Sequence, residues 1–276
     1  MTLQEAMAAR HSVRQYLEKP IEEEKIKQLQ DCIEKCNCDG NLHIQLITNE
    51  PNAFSHGLAK YGKFSGISNY IAMICRKGDD IALGYYGEQV VLLAQTLGLN
   101  TCWVGLTYSK QPEKYEVRPG EKLVCVVSLG YGATQGVPHP QKKGFEAFCK
   151  DGRTKNEPFP TWFVKGMEAA LLAPTAINQQ KFEFVLSDGD NVEAKTRLTL
   201  TNSYAKIDLG IAKCHFEIGA GKENFKWHSK SLLTMANTRL RDRLSFRNFL
   251  GQANGGKVPD ARTCPKLSSR VLSATC

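Results

Sequence analysis

The apolar and polar residues at the start of the chain follow a helical pattern. Thr2 and Glu5 have the spacing of a capping box, in which the threonine caps the helix and the glutamate reaches back to the cap amide. Leu3, Met7 and Arg10 then recur at helical spacing and share one face. The pattern predicts a short helix that carries Arg10 at its end, after which the chain turns away.

The same periodicities predict further elements in the first half of the chain. Broad apolar stripes predict helices at residues 21–36 and 84–97. Alternating or continuous apolar runs predict strands at residues 42–47, 70–75 and 123–129, the last of them central. Gly98 is suited to end the second helix, and His43 is expected on the solvent side of its strand.

Beyond a linker-like segment at residues 151–160, rich in Pro and charged residues, the pattern starts again. It predicts a helix at residues 163–172, a strand at 182–186, and a helix at 207–218 that is closed by Gly219. This order of helix, strand and helix repeats that of the first half. We therefore expect an internal duplication, with one half at residues 1–155 and the other at 156–227.

Composition narrows the class of protein. The 276 residues are 42% hydrophobic and 23% charged, which is ordinary for a globular chain. No apolar run approaches the roughly 18 residues of a membrane span, and the polar start lacks an apolar signal region, so we expect a cytoplasmic protein with no membrane partner. Of ten cysteines only Cys32, Cys36 and Cys38 cluster, and no second pair follows, so no metal site is expected.

The net charge of +8 comes almost entirely from the end of the chain. Residues 228–276 hold nine of the 36 Lys and Arg residues but only two of the 28 Asp and Glu residues. Their composition predicts a basic, disordered tail. A basic tail can bind nucleic acid electrostatically, but it has neither interleaved aromatic residues nor a recognised motif, so we expect no nucleic-acid partner.

The candidate chemistry begins directly after the first helix. Arg10, His11, Ser12 and Arg14 place two guanidiniums, an imidazole and a hydroxyl within five residues. Guanidiniums present a planar fork of donors that suits phosphate oxygens and flat rings that carry oxygen atoms. The alternative is an ordinary helix end, where basic side chains favour the negative end of the helix dipole. On spacing alone this alternative is the better one.

A resemblance to a known family changes that balance. The Arg-x-Ser-x-Arg start, the segment Ala-Pro-Thr-Ala-Ile-Asn-Gln-Gln at residues 173–180, and the turn Cys-Trp-Val-Gly at residues 102–105 are similar to motifs of the FMN-dependent nitroreductases. The chain resembles most closely the subfamily in which two nitroreductase-like halves are fused. The likeness covers about residues 2–227. It implies an α+β, nitroreductase-like fold, in which each half has a sheet flanked by helices and the two halves form a pseudo-dimer within one chain.

The resemblance implies one composite FMN site, because the first motif occurs only in the first half and the second only in the other. Arg14 is then expected beside N1 and O2 of the flavin, and Arg10 and Ser12 at the phosphate and ribityl end, with His11 along the same strip. A basic residue meets the phosphate in relatives. Lys142 is our first candidate for that role, and Lys143 remains the alternative.

The other motifs are expected around the ring. Pro174, Thr175, Asn178 and Gln180 would cover the flavin and its ribityl chain from the second half. Ordinary roles are also available, since Pro174 can stop a helix and the two amide residues can serve in a turn or on the surface. Gly105 and Leu106 would line N5. A backbone N–H close to N5 needs a small residue, and Gly105 allows that approach.

The function implied is an NAD(P)H-dependent FMN oxidoreductase. The donor would pass hydride to flavin N5 and leave, and a small-molecule oxidant, nitroaromatic or quinone, would then take its place in ping-pong turnover. No catalytic side chain is needed, because the flavin carries the hydride chemistry. The alternatives are a flavin-binding store or sensor without turnover and a flavin-free interaction protein. A fused chain is expected as a monomer with an internal pseudo-dimer or as a homodimer.

Overall fold

Two four-stranded sheets and five α-helices form the described part of the chain. The structure is a computed structural model, and it describes residues 1–55, 61–140, 143–155, 157–197 and 204–228. The helices are α1 (Leu3–Ala9), α2 (Glu23–Gly40), α3 (Asp80–Thr96), α4 (Thr161–Leu171) and α5 (Ala205–Ala220). The mixed α+β class predicted from the sequence is confirmed.

The first sheet is antiparallel throughout and has the order β1-β2-β4-β3. Its strands are β1 (Gln45–Ile47), β2 (Asn69–Arg76), β3 (Asn100–Val104) and β4 (Glu121–Gly130). The apolar run in β4 pairs with strands on both sides, as a central strand must. This confirms the central position that its continuous hydrophobic pattern predicted.

The second sheet has the order β5-β6-β7-β8 and mixes parallel and antiparallel pairs. Its strands are β5 (Cys149–Asp151), β6 (Phe182–Ser187), β7 (Asn191–Thr196) and β8 (Lys226–Trp227). Only β6 was predicted from the pattern. The other three are short or polar on one side, so they carry little hydrophobic signal of their own and are formed by pairing.

Helices α3 and α5 pack along each other and connect the two sheets, since α3 packs on β2 and β3 and α5 packs on β6 and β7. Two glycines make their contact close. A Cβ at Gly84 would lie 2.2 Å from the carbonyl oxygen of Ile207, and a Cβ at Gly210 would lie 2.1 Å from that of Ile81. The two helices can therefore approach this closely only because neither glycine has a side chain.

The first helix confirms its predicted capping. The Thr2 hydroxyl accepts a hydrogen bond from the Glu5 amide at 3.2 Å, and the Glu5 carboxylate accepts one from the Thr2 amide at 2.7 Å. Arg10 is the C-cap, where the backbone becomes extended. The helix therefore delivers Arg10 to its own end, as the local sequence predicted.

Two local predictions were wrong. Gly219 does not close the last helix, because α5 continues to Ala220 and Gly221 is its C-cap. Gly219 instead lies against α4, where a Cβ would come 2.5 Å from that of Ala169. His43 does not face solvent: it is 8% exposed and its Nδ1 lies 2.7 Å from a carboxylate oxygen of Glu121, which β4 brings from far along the chain.

Some predictions fall outside the described residues. Lys142 is one of them, and residues 229–276, which form nearly all of the predicted tail, are another. The disorder of the tail and the boundaries of the two halves remain predictions. Among the residues that the structure describes, no helix has both the length and the apolar character that crossing a membrane requires.

Replacing Gly84 with alanine tests the close approach of α3 and α5. Alanine favours a helix by about 1 kcal/mol over glycine, but here its Cβ would overlap a backbone carbonyl, and overpacking costs roughly 1–3 kcal/mol. We expect Gly84→Ala to lower the free energy of unfolding, measured by urea denaturation. Gly87→Ala on the same helix is the control, because its Cβ would meet only side-chain ends, of Met73 and Trp103. An equal loss in both variants would contradict the role given to Gly84.

Candidate functional site

Arg10 is a buried guanidinium at the mouth of a cavity. It is only 4% exposed, and its Nε and Nη1 atoms are buried without a hydrogen-bond partner among the residues that the structure describes. The nearest carboxylate oxygen, on Glu88, is 3.8 Å from Nε, which is too far for a hydrogen bond. The cavity has a volume of 350 Å³ and is lined by Met7, Ala8, Arg10, His11, Pro138, His139 and Leu172. A permanent charge in this setting is suited to bind an anion that enters the cavity.

His11 follows Arg10 and is half-buried in the same cavity wall. Burial, with the positive charge of Arg10 as a second cause, lowers the pKa of His11 below its usual value. At neutral pH the imidazole is therefore uncharged in this structure. An anion beside it would raise that pKa, because a negative neighbour favours the protonated ring.

Ser12 lies beside the edge strand β3, and the Arg14 carbonyl accepts a hydrogen bond from the Ser65 amide at 3.0 Å. Ser12 forms a parallel bridge with Thr101, and the amide of Val13 donates to the Thr101 carbonyl at 3.1 Å. Both side chains are exposed, and the Arg14 guanidinium lies 5.9 Å from the centre of the Phe64 ring. The bridge places the Arg-x-Ser-x-Arg strip beside the Cys-Trp-Val-Gly segment, two motifs that are about ninety residues apart in sequence.

Gly105, directly after β3, is in contact with the residue that precedes α5. The Tyr204 hydroxyl donates to the Gly105 carbonyl at 2.8 Å, and a Cβ at Gly105 would lie 2.6 Å from the Tyr204 ring. A side chain is therefore excluded by Tyr204. This is an additional reason for glycine here, beyond the flavin approach expected from the resemblance. The next side chain, Leu106, is 70% exposed.

The segment at residues 173–180 follows the end of α4 and has an unusual backbone. Ile177, Asn178 and Gln180 all have positive φ angles, of 47°, 54° and 46°. Left-handed backbone is uncommon outside glycine and is strained for a β-branched residue, so the surroundings must fix it. The Ala176 amide donates to the Asp208 carboxylate at 3.0 Å, and the Thr175 hydroxyl accepts from the Gln180 amide at 3.0 Å.

Gln180 is held inside the fold. It is 9% exposed, and its Nε2 donates at 2.8 Å to the carbonyl of Leu171, the last residue of α4. His139 also reaches the Leu171 carbonyl, at 3.0 Å, and lies 3.3 Å from the Gln180 amide. The surface alternative for Gln180 is therefore wrong, and its expected contact with FMN remains a prediction. Asn178, by contrast, is exposed, and Pro174 is partly buried.

The first turn of α5 brings two of the predicted segments together. Tyr204 is the N-cap residue, and the Asp208 amide donates to the Tyr204 carbonyl at 2.9 Å, so the two side chains are one turn apart. The Tyr204 hydroxyl donates a hydrogen bond to the Gly105 carbonyl, and the Asp208 carboxylate accepts one from the Ala176 amide. The Arg10 cavity touches Leu172, two residues before Pro174. Thus α5 is hydrogen-bonded both to Gly105 and to the Pro-Thr segment, and the Arg10 cavity reaches the end of α4, just before that segment.

Sequence reasoning missed four residues that hold this region, namely Glu88, His139, Tyr204 and Asp208. A weak signal existed for two of them. Glu88 and Asp208 are single acidic residues within otherwise apolar helical stripes, and a charge at such a position needs a buried partner. Of the predicted basic residues near the phosphate, Lys143 is exposed, and Lys142 lies outside the described part of the chain.

One antiparallel and one mixed sheet, joined by α3 and α5, with a buried arginine that lines a cavity beside the end of α4, define a nitroreductase-like protein. Residues 2–220 match the family described as "Putative TM nitroreductase", and the chain belongs to that family. The membership predicted from the motifs is confirmed at this level. No curated protein matches the chain.

The chain is also similar to several solved structures. A "putative nitroreductase" from Thermotoga maritima MSB8 is 22% identical, with 81% of this chain and 85% of that chain covered and a TM-score of 0.57. A nitroreductase family protein from Clostridium difficile 630 is 20% identical over 51% and 88% of the two chains, with a TM-score of 0.38. A "putative nitroreductase" with FMN from Desulfovibrio desulfuricans is 16% identical over 58% and 99%, with a TM-score of 0.44.

The Tyr204 hydroxyl can be removed without changing the volume of the ring. Tyr204→Phe leaves the Gly105 carbonyl without its donor, and we expect a loss of about 1 kcal/mol in the free energy of unfolding, measured in urea. Tyr70→Phe is the matched control, because the Tyr70 hydroxyl is buried and has no hydrogen-bond partner within the described part of the chain. Its removal should be neutral or stabilising. A Tyr204→Phe variant as stable as the control would show that the contact does not hold the segment.

Proposed function

We propose that this chain is an FMN-dependent oxidoreductase with one composite flavin site. The observation that carries the proposal is the buried Arg10 guanidinium, with Nε and Nη1 unpaired beside a cavity that both halves line. A phosphate group supplies the anion that this guanidinium lacks. Membership of the nitroreductase family supports FMN as the molecule that carries this phosphate.

Each predicted residue then has a role toward the cofactor. Arg10 and Ser12 hold the phosphate and ribityl end, with Lys142 beside them. His11 lies along the same strip as an uncharged imidazole, and Arg14 places its charge at the N1 and O2 edge of the ring. A positive group at that edge stabilises negative charge on the pyrimidine part of the flavin and so favours its reduction.

The remaining residues form the walls. Gly105 and Leu106 line N5, where the main chain can approach closely. Pro174, Thr175, Asn178 and Gln180 cover the ring and ribityl chain from the other half. Thr175 and Asn178 add polar groups, and the strained backbone around Asn178 is held by Asp208 through Ala176.

The reaction follows from what FMN supplies when bound, which is hydride transfer from NAD(P)H to a small-molecule oxidant. The chain binds the flavin, orients it and tunes its electronic properties, and no side chain acts as an acid or a base. Leu106 and Ile177 are 70% and 85% exposed. Exposed apolar side chains at the edge of the site favour flat aromatic oxidants, nitroaromatics or quinones, which stack on apolar surfaces.

We also propose that the two halves form a pseudo-dimer within the chain. The contact of α3 and α5 is reciprocal: Gly84 faces Ile207, and Gly210 faces Ile81. In both helices the contacted carbonyl belongs to the residue three positions before the glycine. Reciprocal contacts of this kind are typical of a two-fold interface. The chain then acts as a monomer or pairs again as a homodimer.

A flavin titration tests the proposal. We expect the purified protein to show a flavin absorbance band or to acquire it with FMN at one equivalent per chain, and NAD(P)H should bleach the band without oxygen. A band that persists with both NADH and NADPH would favour a store or sensor. A protein that neither binds FMN nor gains stability from it would contradict the proposal.

Arg14→Ala tests the ring-edge role. Because Arg14 is exposed, its removal should leave the fold intact, and the loss of a charged hydrogen bond predicts about tenfold weaker FMN binding. Flavin fluorescence measures the dissociation constant. Arg118→Ala is the matched control, since Arg118 is also an exposed arginine and pairs with Glu116 on the surface. Equal FMN affinity in the two variants would exclude Arg14 from the site.

A further inference from the structure

Glu88 lies at the centre of a polar cluster inside the fold. It is on α3, is 0% exposed, and receives groups from three other elements. Trp103 on β3 donates its Nε1–H to Oε2 at 2.8 Å, and His215 on α5 places Nε2 2.9 Å from Oε1. Arg10, at the end of α1, stands 3.8 Å from the same Oε1. Two close partners therefore occupy the carboxylate, and the guanidinium remains at a distance.

The protons of this cluster follow from the hydrogen bonds of His215. Its Nδ1 lies 3.2 Å from the carbonyl oxygen of Ala169, which can only accept, so Nδ1 carries a proton. Its Nε2 faces a carboxylate oxygen of Glu88, and a hydrogen bond there needs one more proton between the two atoms. His215 and Glu88 together are then neutral, whichever of them holds that proton.

The charge count leaves Arg10 uncompensated. Glu88 and His215 cancel each other, and the guanidinium, which does not lose its proton in proteins, contributes one full positive charge. A buried charge without a paired and hydrogen-bonded partner is costly. The cluster thus holds one surplus positive charge at the wall of the 350 Å³ cavity.

We propose that Glu88 and His215 keep the Arg10 guanidinium unpaired. The free protein is therefore less stable than it could be, and an anionic ligand that binds in the cavity compensates the positive charge of Arg10. Glu88 is a positioning residue in this account, because its oxygens are committed to Trp103 and His215. Binding of a phosphate-bearing ligand and stability of the fold are therefore coupled through Arg10. The inference deepens the proposed function and rests on it only for the identity of that ligand.

Thermal unfolding of the full chain without ligand tests the coupling. Arg10→Met keeps an unbranched side chain of similar length and removes the charge, so the variant should melt above the natural protein, by about 3 °C for a gain of roughly 1 kcal/mol. Arg10→Lys keeps the buried charge and should show no gain. A melting temperature of Arg10→Met that is equal to or below that of the natural protein, including failure to fold, would overturn the inference.

Arg153→Met is the matched control. Arg153 is also largely shielded, with 12% of its side chain exposed, but its Nη2 is 2.6 Å from Asp151, so it has a partner. Its loss should lower the melting temperature. A rise of the melting temperature in both variants would indicate that removing any arginine stabilises this chain, and it would contradict the proposal that Arg10 is destabilising because it is unpaired.

Ligand addition separates this inference from the proposed function. FMN at a hundredfold excess over its dissociation constant should raise the melting temperature of the natural protein and of Arg153→Met by roughly 8 °C, and that of Arg10→Met much less. Inorganic phosphate alone should act in the same direction at higher concentration. If Arg10→Met is stabilised without ligand but FMN never binds the natural protein, the proposed function fails and the charge coupling stands. If FMN binds and stabilises Arg10→Met as much as the natural protein, the coupling fails.

Discussion

The close crossing of α3 and α5 is the constraint on which the rest of the structure depends. At Gly84 and Gly210 each helix lies against the backbone of the other, and a single Cβ on either side would overlap a carbonyl oxygen. Each helix also packs on its own sheet, so this contact joins the two sheets into one body. Because backbone lies directly against backbone at these two glycines, the relative position of the two helices has little freedom.

That fixed position makes the rest of the site possible. Beyond the crossing, the same two helices bring Glu88 and His215 within hydrogen-bond distance, and the start of α5 anchors Gly105 and Ala176. The polar groups thus lie where α3 and α5 meet. Buried polar groups at such a junction are costly unless satisfied. In the cluster around Glu88, the carboxylate, the His215 ring and the Trp103 indole have partners, whereas Nε and Nη1 of Arg10 have none among the described residues. The site therefore combines a rigid, satisfied frame with one charge left for a ligand.

The differences between expectation and structure have a common cause. His43 has the alternation of a solvent-facing residue, but a glutamate almost eighty positions later meets it and the side chain becomes buried. Gly219 looks like a helix end, but the packing of α4 requires it inside the helix. Gln180 has the composition of a turn, but the end of α4 needs its amide. In each case a partner outside the local segment overrides the local preference.

The sequence alone determined the elements whose signals are local. It specified the capping box of α1, the delivery of Arg10 to the end of that helix, the long apolar helix α3, the central strand β4 and the family to which the motifs belong. Tertiary structure alone decided the short strands β5, β7 and β8, the polar cluster around Glu88, and the hydrogen bonds from the start of α5 to Gly105 and Ala176. The physical reason is the sequence distance over which each interaction acts. Capping and periodicity depend on residues a few positions apart, whereas burial, ion pairing and close backbone contact depend on which other segment of the chain packs against the residue.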